Sequence, residues 1–174
     1  MKKCILSFLI SVSVLSVFGQ DGYPTPHVAD LLFYIQHNRG KNAFIYQANY
    51  SATGELDSNN PIRVTRQIFE NKGEIKSLST VQKTFAYGVN THKIGDNTYE
   101  VSLVSYPAQK LYLSVDKNKH AKIETSVSGV KMKVNRLFIQ QREGTSGLNT
   151  KVDYIHFFGT DGQGKSVNAK LFPN

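Results

Sequence analysis

From Asp30 onward, apolar and polar side chains alternate with a period of two, the mark of strands that bury one face. Leu111, Leu113 and Val115 point one way, while Lys110, Tyr112, Ser114 and Asp116 point the other. Val130, Met132 and Val134 alternate just as cleanly with Lys131, Lys133 and Asn135. The Ser128-Gly129 pair between these runs predicts a tight hairpin turn. Further breaks fall at 38–42, 95–96, 117–119 and 144–147. The pattern predicts strands near 31–37, 43–50, 61–69, 98–105, 110–116, 121–127, 130–141, 151–159 and 166–172. Short links between neighbours predict antiparallel pairing.

One segment departs from this period. Ile75, Leu78, Val81 and Phe85 recur at three- and four-residue spacing, which predicts a helix over 75–87 with one apolar stripe. Gly88 suits the left-handed position that ends such a helix. Residues 20–29, with two prolines, read as an extended lead-in to a single domain over 30–174. The fold class that follows is mainly β: an antiparallel β-barrel or two-sheet sandwich of about nine strands, with one short helix (75–87) packed on it.

Two strands carry large side chains on both faces. Phe44, Tyr46 and Tyr50 lie opposite Ile45, and Tyr154, His156 and Phe158 lie opposite Ile155 and Phe157. Such a strand is covered twice, once by the core and once by a helix, a loop, a second sheet or a ligand.

The first nineteen residues supply an address. Lys2 and Lys3 precede an apolar run from Ile5 to Phe18, and Val17 and Gly19 occupy the −3 and −1 positions of a signal-peptidase site. A bilayer-spanning helix needs about 20 apolar residues, so a cleaved signal peptide (1–19) is expected rather than a retained anchor. Cys4 lies before the apolar core, where a lipoprotein cysteine would not be. Cleavage after Gly19 leaves 155 of the 174 residues, a single-domain length, and removes the only cysteine. The exported chain must then hold itself together by packing, with no disulfide and no cysteine metal site. Its 19 basic residues against 13 acidic ones give a net charge of +6, which favours peripheral contact with an anionic envelope surface. The bases are spread along strand faces rather than clustered, as on the wet side of a sheet.

Catalytic and cofactor motifs are weak. Gly159 to Ser166 fits the phosphate-loop pattern G-x-x-x-x-G-K-[ST]. The residues after it alternate like a strand, however, and offer no helix N-terminus to face a phosphate. The segment therefore reads as a glycine-rich hairpin turn. His27, His37, His92, His120 and His156 show no metal-ligand spacing, so neither metal nor cofactor is expected. There is no G-x-S-x-G elbow. Asp153 and His156, three apart on a strand, point to opposite faces and cannot pair as acid and base. Nucleic-acid binding would want aromatics interleaved with bases on one sheet face, and Lys131 and Lys133 have none between them. Tyr34, Tyr46, Tyr50, Tyr87 and Tyr99 remain, either lining a pocket or filling the core and its rim.

At Tyr34-Ile35-Gln36-His37-Asn38-Arg39-Gly40-Lys41-Asn42, Asn60-Pro61-Ile62-Arg63-Val64 and Ala86-Tyr87-Gly88, the chain resembles a domain-of-unknown-function family. Its members are secreted, single-domain proteins of about this length from Gram-negative gut-type bacteria. The resemblance implies export but no reaction, and it brings no catalytic residues.

The expectation is a periplasmic or secreted, non-catalytic β-domain that binds a small molecule, glycan or lipid. The candidate ligand residues lie around the first hairpin. Tyr34, Gln36 and Asn38 supply a ring and two hydrogen-bonding groups, Arg39 an anion contact, and Tyr87 the rim. The alternatives are an envelope structural protein without a pocket, or a hydrolase-type enzyme with paired carboxylates or a His–carboxylate pair.

Overall fold

The computed structural model describes residues 22–173. The expected leader, 1–19, and the first two residues of the lead-in lie outside the described residues. The strands are β1 (Leu31–His37), β2 (Gly40–Ala48), β3 (Ile62–Ile68), β4 (Glu74–Ser77) and β5 (Val89–Gly95). They continue as β6 (Thr98–Leu103), β7 (Tyr106–Val115), β8 (Ala121–Val127), β9 (Val130–Gln141), β10 (Val152–Thr160) and β11 (Ser166–Leu171). The one α-helix among the described residues, α1, spans Thr80–Phe85.

The fold is mainly β, with a single short helix, as the alternation predicts. The strands form one sheet in the order β4-β3-β2-β1-β9-β8-β7-β6-β5, curled into a half-barrel, with the β10-β11 hairpin added on β9. The twelve-residue β9 organises this shape. Its first residues pair with β8 at Val130–Lys133, its later ones with β1 at Arg136–Ile139, and β10 runs along its other edge. A register shift between Val134 and Arg136 marks where the two halves diverge, and irregularities of this kind bend a sheet.

Three features differ from the sequence reading. Among the described residues there are eleven strands rather than the nine expected, the additional two being β4 and β5. Both are almost wholly exposed, so neither needs an apolar alternation. The β1–β9 ladder is parallel, unlike every other ladder among the described residues. Its partners lie about a hundred residues apart, and link length says nothing about them. The helix is shorter than 75–87, since Ile75 belongs to β4. A capping box starts α1, with the Gln82 amide donating to Ser79 Oγ and the Ser79 amide to Gln82 Oε1.

Inside the curve, Phe33, Ile35, Phe44, Tyr46, Val101, Leu111, Leu113, Ile123, Val134, Leu137 and Phe157 form the main core. Phe33 and Tyr46 stack with centroids 4.3 Å apart. The buried Tyr46 hydroxyl is satisfied by donating to the Tyr87 carbonyl at 2.8 Å.

The convex face of β1 and β2 carries Tyr34, Ala43 and Ile45, packed against Val28, Leu31 and Phe69. Here the second cover is the lead-in, with Phe69 of the 3₁₀ turn after β3. Gln36 Nε2 donates to the Pro24 carbonyl at 2.7 Å, and Gln47 Nε2 to the Ala29 carbonyl at 2.8 Å. Tyr23 meets the Phe138 ring edge-on at 5.2 Å. Two-sided greasiness in β2 thus reflects a strap of the chain itself.

Turn chemistry follows the sequence closely. Ser128 and Gly129 both have positive φ, 49° and 82°, as a two-residue type I′ hairpin requires. The phosphate-loop lookalike is the β10-β11 hairpin turn, in which Asp161 Oδ1 accepts from the amides of Gln163 and Lys165, both at 2.9 Å. Asp116 Oδ1 does the same with Asn118 and His120 at the β7-β8 turn. Gly88 serves a different end from the one expected. Its φ is not left-handed, but a Cβ there would collide with the Lys83 carbonyl oxygen.

Candidate functional site

The two outermost strands of the curled path, β4 and β5, are joined through α1. The segment after α1 is tied into the barrel rim. Ser105 Oγ donates to the Ala86 carbonyl at 2.7 Å, and the Val104 amide to the Gly88 carbonyl at 3.0 Å. The Tyr87 ring stacks flat on Phe44. Burial, opposed in part by the nearby Arg66 guanidinium, pushes the Tyr87 hydroxyl up to about 12, so it remains a neutral donor.

None of the helix residues is buried. Val81 is 58% exposed and Phe85 61%, so the helical part of the stripe faces outward, while Leu78 packs against the core. The helical part borders a groove of about 700 Å³ that Tyr87, Ile139, Leu148 and Val152 also line. Leu148, 80% exposed, sits on the 3₁₀ turn Gly147–Asn149 between β9 and β10. Exposed apolar groups gathered around a concavity of this size are the usual form of a small-molecule site, whose volumes run from about 300 to 1,000 Å³. The polar lining is Gln82, Ser105, Gln141 and Thr150; no carboxylate, histidine or cysteine lines it.

The sequence-predicted residues distribute around this groove. Tyr87 lines it directly. Asn38 holds its far wall, donating through Nδ2 to the Gln141 carbonyl at 3.0 Å and accepting the Gln141 amide at 2.9 Å. Arg39 grips the loop that follows, donating to the carbonyls of Arg142 and Thr145. Tyr34 and Gln36 lie together on the convex face, 8% and 0% exposed, beneath the lead-in. The structure therefore brings Tyr87, Asn38 and Arg39 to one rim and places Tyr34 and Gln36 behind it. Val81, Phe85 and Leu148 line the groove and lie outside the sequence candidates. The apolar spacing of α1 was visible, but spacing does not say which way a stripe faces.

The other candidate chemistry is dispersed. No group of three or more metal-ligating side chains occurs among the described residues. His37 is lowered by burial and then by Arg66 and Arg39. His156 is lowered mainly by burial, against its bond to Asn168 Oδ1 at 2.9 Å. Asp153 pairs with Arg142 Nε at 2.7 Å, and no bond joins it to His156. On the convex side of β9 to β11, the Arg136 guanidinium lies over Phe158 at 4.6 Å and Lys170 Nζ over Tyr154 at 4.2 Å. No helix among the described residues is long and apolar enough to cross a membrane.

No curated protein and no solved structure shows significant similarity to this chain. A family model described as a domain of unknown function, DUF4833, matches residues 33–170, which takes in β1 to β11 almost whole and every groove residue named above; the protein belongs to that family.

Proposed function

We propose that this is an exported, non-catalytic β-domain that holds a small apolar molecule in the groove between α1 and the 147–149 turn. The observation that carries the reading is the position of Val81, Phe85 and Leu148. These side chains line one concavity, at an energetic disadvantage in water of about 25 cal/mol per Å² of apolar surface. Tyr87 contacts the ligand in this reading. Asn38 and Arg39 act through the wall they hold, and Tyr34 and Gln36 support the same hairpin from behind. Export to the periplasm or beyond rests on the charged and apolar pattern of residues 1–19.

The test uses N-phenyl-1-naphthylamine, an uncharged dye that fluoresces in apolar surroundings. The protein is expected to bind it saturably, and Leu148→Asp or Phe85→Asp to weaken binding at least about tenfold, since each places a charge against the apolar ligand. Both positions are exposed, so both variants should fold. Binding that is absent, or unchanged in both variants, would contradict the reading.

The rings of Tyr154, His156 and Phe158 favour a second reading, a glycan laid along the convex face. Phe172, 67% exposed and 6.1 Å from Tyr154, extends that strip. Loss of oligosaccharide retention in Phe172→Ala, with dye binding intact, would select it.

A further inference from the structure

The apolar groove has a second half with a different character. A depression of about 550 Å³ shares Ser105, Ile139, Thr150 and Val152 with it and ends at Arg142 and Lys151. These two cations are held side by side, because the Arg142 amide donates to the Lys151 carbonyl at 2.8 Å. The loop between them is braced. Thr145 Oγ1 donates to the Arg142 carbonyl at 2.8 Å and accepts the Lys151 amide at 3.1 Å, while Arg39 holds the same loop from the first hairpin. Asp153 fixes Arg142 through Nε. No carboxylate of the described residues lies within ion-pair distance of Lys151 Nζ. The one other acid of the loop, Glu143, is exposed and does not line either half.

The trough is therefore greasy at one end and positive at the other, where Arg142 and Lys151 are set against the one carboxylate of Asp153. We infer that its ligand is a free single-chain amphiphile with an anionic head, a fatty-acid-type carboxylate. The alkyl chain lies between Phe85 and Leu148, and the head group meets Arg142 and Lys151. This inference rests on the groove being the ligand site and adds the chemistry of its occupant. The groove's size suits one small molecule held in solution rather than the face of a bilayer. An arginine fixed through Nε keeps its terminal nitrogens for a planar carboxylate.

The experiment displaces bound N-phenyl-1-naphthylamine with three probes of equal chain length: dodecanoate, dodecanol and dodecyltrimethylammonium. Dodecanoate is expected to displace the dye about tenfold more tightly than dodecanol, the ratio that two partly exposed charge contacts can supply together. Dodecyltrimethylammonium should be the weakest. Lys151→Glu, at an exposed position, should abolish the preference for dodecanoate over dodecanol. Arg142→Gln should reduce it. Raised salt should shrink it by screening. Equal displacement by all three probes, or a preference that survives Lys151→Glu, would overturn the anionic head while leaving the groove reading intact. Failure of the dye itself to bind would overturn both. Tight binding to phosphatidylglycerol vesicles with no displacement by free dodecanoate would replace a free amphiphile with a membrane surface.

Discussion

Asn38 shows how a polar side chain in a hairpin turn can hold structure and border a site at once. Its amide reproduces one rung of a strand ladder by bonding both backbone groups of Gln141. Asn38→Ala would leave those part-buried groups without partners and is expected to cost about 1–3 kcal/mol, read as a lower denaturant midpoint. Asn38→Asp should fall between, keeping the acceptor and losing the donor; equal midpoints for all three proteins would contradict this. Gly88→Ala forces a methyl into the Lys83 carbonyl and should cost about 1–3 kcal/mol by overpacking. Titration acts through His37 and His156, both lowered in the fold. Below pH 6.5 the unfolded chain takes up protons that the folded one resists, so stability is full above that value and declines as pH falls past it. Replacing both with Asn should flatten melting temperature against pH just below 6.5. An unchanged slope would mean that other groups govern that window.

At the scale of elements, the lead-in acts as a strap rather than a tail. It takes hydrogen bonds from Gln36 and Gln47 and covers Tyr34 and Ile45. A chain beginning at Asp30 is expected to melt at a lower temperature, and Ile45→Ala to cost about 2–5 kcal/mol in the intact protein. A truncated chain as stable as the intact one would show that the strap covers nothing of consequence. Strands with one wet face announce themselves in the sequence, which is why β6 to β9 and the Ser128-Gly129 turn are legible there. Elements that bury nothing do not, so β4 and β5 escape detection. The parallel β1–β9 pairing is equally silent, because it is fixed by how a long bent strand distributes its two edges. For the site, Tyr87 could be read from the sequence as a rim ring beside the first hairpin. Val81, Phe85 and Leu148 could not, since a short helix with an apolar stripe looks the same whether it caps a core or walls a groove.

The molecule as a whole is a half-barrel with a filled interior and an incompletely covered mouth. Its spread-out lysines sit mainly on wet strand faces, where Lys110 pairs with Glu100 at 3.0 Å and Lys122 with Glu124 at 2.9 Å. Exposed pairs of this kind contribute little to stability. Core packing carries the fold without any covalent bridge. The large apolar side chains left outside gather at the groove more than anywhere else. The most direct measurement is an amide chemical-shift map of the isotopically labelled protein titrated with N-phenyl-1-naphthylamine. Shifts confined to residues 81–88, 103–106 and 139–152 are predicted. Shifts centred instead on the convex strip around Tyr154 and Phe158, or none at saturating dye, would contradict a ligand-binding mouth.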